Sequence, residues 1–199
     1  MKSFKNIRNK NMNEGEIFFY NEDYEKALEF FNSVYDIDNQ NWKALNYIGI
    51  CLTALSRFDE ARSCFELSIS INGDISDTWA LFSTHYLAIQ DLDNAEICVG
   101  HALRLEGSEI AYAEIAIYYY TIENFDNCEV FVRKSLSING KNSTALNTLG
   151  LLKVYFKLYR DAIKIFQLLT KINPNYSMWY NNLGQAYQLD GRLNWQKGL

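Results

Sequence analysis

Apolar residues recur along the chain three and four positions apart, and short polar stretches interrupt them at regular intervals. Within residues 42–55 this stripe consists of Leu45, Ile48, Gly49, Leu52 and Leu55. Residues 56–59 interrupt it, and a second stripe then consists of Ala61, Cys64, Phe65, Ser68 and Ile69. The spacing predicts two amphipathic helices joined by a short turn. We expect Asp59 to cap the second helix and Gly73 to terminate it in a left-handed conformation, as Gly140 would later in the chain.

The helix pair repeats along the chain. Aligned segments begin at residues 24, 58, 92, 125 and 159, which are 33 or 34 positions apart. A small residue recurs in the first helices at Gly15, Gly49, Ser83, Ala116, Gly150 and Gly184. A larger residue recurs in the second helices at Phe31, Phe65, Val99, Val132 and Phe166. Because helices cross closely only where one has little side chain, we expect the large residues to pack on the small ones. A single pair cannot bury its apolar faces, so the pairs must stack into an all-α solenoid.

The repeat resembles that of the tetratricopeptide repeat (TPR) family, whose pattern is W-x2-L-G-x2-Y, then A-x3-F, then P. One repeat reads Trp79-x2-Phe82-Ser83-x2-Tyr86, and another ends in the only proline, Pro174. The resemblance implies a right-handed α-solenoid of five full repeats and a partial sixth. We assign a basic arm to residues 1–10 and an array to residues 8–199. Its repeats are 8–41, 42–75, 76–108, 109–142, 143–176 and, in part, 177–199. The last nine residues, GRLNWQKGL, would begin the second helix of the sixth repeat.

Charge and composition narrow the range of partners. The chain has 19 basic and 24 acidic residues and a net charge of −5, which disfavours a nucleic-acid-binding domain. Its basic start contains Lys2, Lys5, Arg8 and Lys10 without an acid, as in a solvated tail. No stretch has the roughly 18 apolar residues of a membrane span, and no secretory signal is present. We therefore expect no membrane insertion, a cytoplasmic location and four reduced cysteines.

The family resemblance implies that the first helices line a concave groove that binds a protein or peptide segment. Carried over by register, this groove consists of Phe19, Tyr20, Lys43, Asn46, Ile50, Leu87, Ile117, Tyr120, Asn147, Leu151, Val154, Tyr155, Asn181 and Gln185. It is rich in apolar residues and poor in charge, which favours an apolar or amphipathic segment; the alternative is that these residues are buried between repeats. Asn46, Asn147 and Asn181 share one register, and they either pair with a peptide backbone or reflect a chain rich in asparagine.

The sequence contains no motif for a catalytic, nucleotide or metal site, so we expect a non-enzymatic module without a cofactor or metal. His85 shares its register with Cys51 and is interpreted as a packing position. The most direct role is that of a scaffold or adaptor. One alternative is a secretion-type chaperone for a hydrophobic client. Another is homo-oligomerisation through an uncapped C-terminal repeat, whose relevant residues are Trp179, Tyr180, Leu183 and Trp195.

Overall fold

A computed structural model describes residues 2–196, with the side chains of residues 4–191, and this range consists of α-helices and short connections. The helices are α1 (Lys2–Tyr20), α2 (Tyr24–Ile37), α3 (Trp42–Ala54), α4 (Phe58–Ile71), α5 (Ser76–Ala88), α6 (Leu92–Ala102), α7 (Glu109–Thr121), α8 (Phe125–Ile138), α9 (Ser143–Tyr155), α10 (Tyr159–Ile172) and α11 (Ser177–Gln196). Within each of the two units described below, successive helices pack as pairs, and the pairs stack on one another. The predicted fold class, an all-α solenoid of helix pairs, is confirmed.

Two compact units divide the chain. The N-terminal unit comprises residues 1–107 and contains the pairs α1–α2, α3–α4 and α5–α6. The C-terminal unit comprises residues 108–199 and contains α7–α8, α9–α10 and α11. The division follows α6, which has 11 residues where the other second helices have 14. Each unit has its own core, built around Phe31 and Leu52 in the first and around Phe166 and Trp179 in the second.

Phenylalanine rings pack on glycines where the two helices of a pair cross. A Cβ added to Gly15 or Gly49 would lie 2.7 Å from the ring of Phe31 or Phe65, respectively, and one added to Gly150 would lie 2.5 Å from that of Phe166. The third and fourth repeats differ in a compensating way. Valine replaces the phenylalanine there, and the small residue is Ser83 or Ala116. A larger residue on one helix is thus matched by a smaller one on the other.

The residues with a left-handed backbone are not the glycines that were expected. They lie in the turns inside the repeats, with φ between 58° and 62°, and they are Glu22, Ser56, Gln90, Glu123 and Lys157. Gly73 and Gly140, which were expected to adopt this conformation, have no positive φ. Asp59 is not an N-cap either, because α4 begins at Phe58 and its N-cap residue Arg57 makes no side-chain capping bond. Asp59 instead lies in the first turn, where a carboxylate interacts favourably with the helix dipole.

The structures of the two terminal segments also differ from the sequence interpretation. Residues 2–10 form the first half of α1; among residues 4–10 all but Arg8 are exposed to solvent, and Arg8 is paired with Asp38 at the end of α2, so this segment is not an untethered tail. Residue 1 lies outside the described range. At the other end, α11 continues through Gly191 to Gln196, so the expected second helix does not begin at GRLNWQKGL. A turn there would give up helical hydrogen bonds, and in the described range no side chain packs on Gly184 to compensate. Residues 197–199 and the side chain of Trp195 lie outside the described residues.

Candidate functional site

The apolar groove residues predicted in the C-terminal unit lie on the neighbouring helices α7 and α9. The sequence predicts Ile117 and Tyr120 on α7 and Leu151, Val154 and Tyr155 on α9. Ile117, Tyr120, Leu151 and Val154 are all half-buried, and Leu151 and Val154 rest on the core beneath α9. Tyr155 is 52% exposed. These residues form a partly exposed apolar surface on the unit.

At the turn end of α7 and α9 this surface becomes an aromatic patch, which consists of Tyr120, Phe125, Tyr155 and Phe156. The ring centroid of Phe125 lies 4.1 Å from that of Tyr155, 5.9 Å from Tyr120 and 5.7 Å from Phe156. The ring centroids of Tyr155 and Phe156 are 5.3 Å apart. Phe156 is 53% exposed. Mutual contact therefore holds the rings in place while two of them keep half of their surface in solvent.

Two exposed aliphatic side chains, Ile122 and Leu158, flank the aromatic patch on the turns that follow α7 and α9. Sequence reasoning missed both of them, and it also missed Phe125 and Phe156. The sequence signal that could have identified Ile122 and Phe156 is an apolar residue directly after the first helix of a repeat, where a turn is usually polar. Ile122 and Phe156 are the C-cap residues of α7 and α9.

The electrostatics of the aromatic patch favour neutral groups. Burial raises the pKa of Tyr120, and the nearby Cys128 and Tyr155 raise it further. Its phenol therefore stays protonated at neutral pH and can donate a hydrogen bond. Lys157 and Glu123 are both exposed beside the patch, and they carry charges of opposite sign.

The shared asparagine register does not form an exposed ladder. Asn46 is buried, donates to Thr78 Oγ1 at 2.9 Å and accepts from Ser68 Oγ at 2.8 Å. It joins α3, α4 and α5, so its assignment to a peptide-binding groove was wrong. Asn147 is half-buried, and its Oδ1 accepts from Asn182 Nδ2 at 2.8 Å. Only Asn181 of the three is exposed.

In the N-terminal unit the predicted groove residues are spread over three helices. Phe19 packs against the core, with its ring centroid 5.6 Å from that of Tyr47, whereas Tyr20 is 45% exposed. Lys43 is exposed, and Ile50 and Leu87 are half-buried. Gln185, on α11 of the C-terminal unit, is exposed.

Tyr20 and Tyr47 share a carboxylate on α1. The Tyr47 hydroxyl donates to Glu16 at 3.2 Å. Burial raises the pKa of both phenols, and Glu16 raises them further. Both phenols are therefore neutral near pH 7.

The described residues contain no group of acidic, histidine or cysteine side chains that could hold a metal ion. Burial raises the pKa of the Cys51, Cys98 and Cys128 thiols to about 12 and that of Cys64 to about 11, so these thiols are protonated and poor nucleophiles.

His85 is 1% exposed and packs between aromatic rings, with Nδ1 2.8 Å from Thr53 Oγ1. This agrees with its interpretation as a packing residue. Among the described helices, none is both long and apolar enough to cross a membrane.

Comparisons with known proteins point to the same repeat. Residues 11–41 match the family model described as tetratricopeptide repeat. No curated protein matches the sequence. Among solved structures, TTC0263, a thermophilic TPR protein in Thermus thermophilus, is similar with a TM-score of 0.73 and 13% identity, over 91% of this chain and 99% of that one.

Two further solved structures are longer than this chain. The human IFIT1 dimer with m7Gppp-AAAA is similar with a TM-score of 0.71 and 17% identity, over 88% of this chain and 45% of that one. The APC/C hetero-tetramer Cut9–Hcn1 is similar with a TM-score of 0.64 and 16% identity, over 88% of this chain and 42% of that one. The chain thus spans less than half of each, and at these identities the likeness concerns the fold. Residues 11–41 thus match a tetratricopeptide repeat, and the chain has a fold similar to that of solved tetratricopeptide repeat proteins.

Proposed function

We propose that the chain is a scaffold or adaptor that binds an apolar or amphipathic segment of a partner protein on the C-terminal unit. The binding surface is the aromatic patch together with the half-buried Ile117, Leu151 and Val154. The observation that carries the proposal is the exposure of Tyr155 and Phe156, which leave half of their surface in solvent within the cluster of four aromatic rings. Rigid aromatic side chains on an apolar surface are the residues that contribute most to protein-protein binding.

The chemistry of the surface indicates the character of the segment. Tyr120 and Tyr155 offer apolar rings with hydroxyl groups, that of Tyr120 being neutral, and the exposed residues beside the patch include charges of both signs, such as Lys157 and Glu123. A segment with two or three apolar side chains and no strong net charge is the best match. Backbone carbonyls of that segment can accept hydrogen bonds from the tyrosine hydroxyls.

The comparisons offer both protein and nucleic acid as precedents for binding by this fold. Cut9 is found with Hcn1 in a hetero-tetramer, whereas IFIT1 is found with m7Gppp-AAAA. For the present chain, the net charge of −5 supports a protein partner, because binding to nucleic acid depends largely on cationic contacts to phosphate.

The experiment is a selection of peptides from a display library with the full chain, followed by affinity measurements. The test variant is Tyr155→Glu with Phe156→Glu, which introduces charge into the aromatic patch. The matched control is Ile97→Glu, since Ile97 is 56% exposed on α6 of the N-terminal unit. Circular dichroism verifies that both variants retain their helices.

We expect the selected peptides to be apolar or amphipathic, to lose at least tenfold in affinity with the double variant and to bind the Ile97→Glu control as they bind the native chain. The proposal fails if the peptides bind the double variant equally well, or if both variants weaken binding to the same extent.

A further inference from the structure

A cavity of about 280 Å³ opens to solvent between the first two repeats of the N-terminal unit. It is lined by α1, by the end of α2 and the connection that follows, and by the start of α3. Its volume lies just below the range of about 300–1,000 Å³ that is usual for sites of drug-sized ligands. The cavity therefore suits a small molecule.

The most buried side chains of the cavity are apolar. Val34 on α2 is fully buried, and Met12 on α1 and Trp42 on α3 are half-buried. Together they offer a ligand an apolar floor and one indole ring. Aromatic rings pack favourably on each other in stacked or edge-on arrangements, so a ligand with its own ring matches this floor.

The cavity also has a charged rim, in which cations outnumber anions. Arg8 Nη1 is paired with Asp38 Oδ2, and the other oxygen of this carboxylate accepts from the backbone N–H of Gln40 at 3.4 Å. Lys43 is exposed and forms no ion pair within the described part of the chain. With Asp38 neutralised by Arg8, the charge of Lys43 remains, and a single negative charge on a ligand would balance it.

The equivalent position between the second and third repeats is filled differently. Asn46 and Ser68 lie 34 positions after Met12 and Val34, and both are buried. Ser68 Oγ donates to Asn46 Oδ1 at 2.8 Å. Apolar side chains replace this hydrogen-bonded pair in the cavity, so its apolar floor is not a property of the repeat.

The positive charges are not part of the repeat either. The residues 34 positions after Arg8 and Lys43 are Trp42 and Asp77, neither of which is a cation. Packing common to the repeats therefore gives no reason for two cations beside an apolar cavity, whereas an anion with an apolar body would use both features.

We propose that this cavity binds a small aromatic carboxylic acid as its anion, with the carboxylate held by Arg8 and Lys43 and the ring against Trp42 and the apolar floor. A guanidinium group has five N–H donors, so Arg8 can donate to a ligand while Nη1 remains paired with Asp38. The inference is independent of the function proposed above, because the aromatic patch belongs to the C-terminal unit.

The probe is phenylacetate, titrated into the full chain and followed by NMR through the assigned indole N–H signal of Trp42. Two further ligands separate the contributions of charge and ring. Phenylacetamide has the same size and ring but no charge, and acetate has the charge without the ring.

The test variants change either the charge or the space of the cavity. Lys43→Gln removes the cation, and Lys43→Arg retains it. The matched control for charge is Lys10→Gln, since Lys10 is exposed on α1 and does not line the cavity. Asn9→Phe places a ring in the cavity, and its control is Asn13→Phe, which alters an exposed residue one turn further along α1. Circular dichroism verifies that each variant retains its helices.

We expect phenylacetate to shift the Trp42 signal saturably, and phenylacetamide and acetate to bind about tenfold more weakly or less, because a hydrogen bond to a charged group or an apolar contact is lost. Lys43→Gln and Asn9→Phe should weaken phenylacetate binding to a similar extent. Lys43→Arg, Lys10→Gln and Asn13→Phe should leave the affinity close to that of the native chain. The Tyr155→Glu, Phe156→Glu chain should also bind phenylacetate normally, which separates the cavity from the aromatic patch.

The inference is overturned if phenylacetate leaves the Trp42 signal unchanged, if phenylacetamide binds equally well, or if Lys10→Gln weakens binding as much as Lys43→Gln. An acetylated tripeptide that ends in phenylalanine tests the other source of the same chemistry, the C-terminus of a polypeptide. Binding of this peptide about tenfold more tightly than phenylacetate would overturn the assignment to a free acid.

Discussion

Replacing Gly150 with alanine should destabilise the C-terminal unit, although alanine favours a helix by about 1 kcal/mol over glycine. The added methyl group would lie 2.5 Å from Cε1 and 2.7 Å from Cζ of Phe166. Ordinary contacts between carbon atoms are about 3.5–4.0 Å long. Phe166 is buried in the core and has no free space to move into. Overpacking of this kind costs about 1–3 kcal/mol, so we expect a net loss of about 1 kcal/mol in the free energy of unfolding.

Gly184→Ala is the matched control. It makes the same substitution at the same register of α11, where the added methyl group meets no atom within 4 Å. Only the helix-propensity gain remains, so this variant should be stabilised by up to about 1 kcal/mol. The opposite signs of the two effects isolate the contribution of the Phe166 ring.

A chain in which Phe166 is replaced by valine tests the same reasoning. In the fourth repeat Ala116 is accompanied by Val132 and not by phenylalanine. Phe166→Val should therefore make room for Gly150→Ala, and the double variant should show a coupling energy of about 1–3 kcal/mol.

The assay is hydrogen exchange of peptides from α9, α10 and α11 at increasing urea concentration, because it reports on the C-terminal unit separately from the N-terminal unit. The reasoning is refuted if Gly150→Ala stabilises the unit as Gly184→Ala does, or if Phe166→Val leaves the effect of Gly150→Ala unchanged.

Three further predictions concern other parts of the fold. Burial lowers the pKa of His85 below 6.5, so the unfolded chain binds the proton more readily and the N-terminal unit should lose stability as pH falls below about 6.5. His85→Leu should reduce this pH dependence in urea titrations, and the C-terminal unit has no histidine to show it. Lys157→Gly should stabilise the C-terminal unit by about 1 kcal/mol in urea titrations by relieving a left-handed lysine, and an unchanged midpoint would contradict this. Asn46→Ala should cost about 1–3 kcal/mol by removing one hydrogen bond from each of two buried hydroxyls, those of Thr78 and Ser68, whereas thermal melts should detect almost no change for the exposed Asn181→Ala.

The helix pairs and their crossings could be predicted from the sequence because both depend on spacing alone. A repeat of 33 or 34 residues places Gly49 and Phe65 at fixed positions on two adjacent helices, and the structure brings them into contact. The turn conformations could not be predicted in this way. Ser56 and Lys157 are left-handed because the antiparallel helices around them must be joined by a three-residue turn, and nothing in those residue types signals it.

The candidate site was only partly accessible to the same reasoning. Register determines which side of a helix a residue faces, but the neighbouring helices determine how deeply it is buried. Asn46 and Asn181 share a register, and yet one is bonded inside the N-terminal unit while the other is exposed. Phe125 and Phe156 belong to the patch because the two turns approach each other, which is a tertiary contact that no local pattern contains.

In a repeat protein, the packing of each helix is a reference for every other helix at the same register. Leu55 and Phe156 follow equivalent first helices, and yet Leu55 is half-buried whereas Phe156 is half exposed. Where the fold leaves apolar surface uncovered that it covers elsewhere, self-packing no longer explains the residue type. Binding to another molecule then becomes the simplest physical reason for an aromatic side chain at that position, and the proposed aromatic patch follows from this comparison.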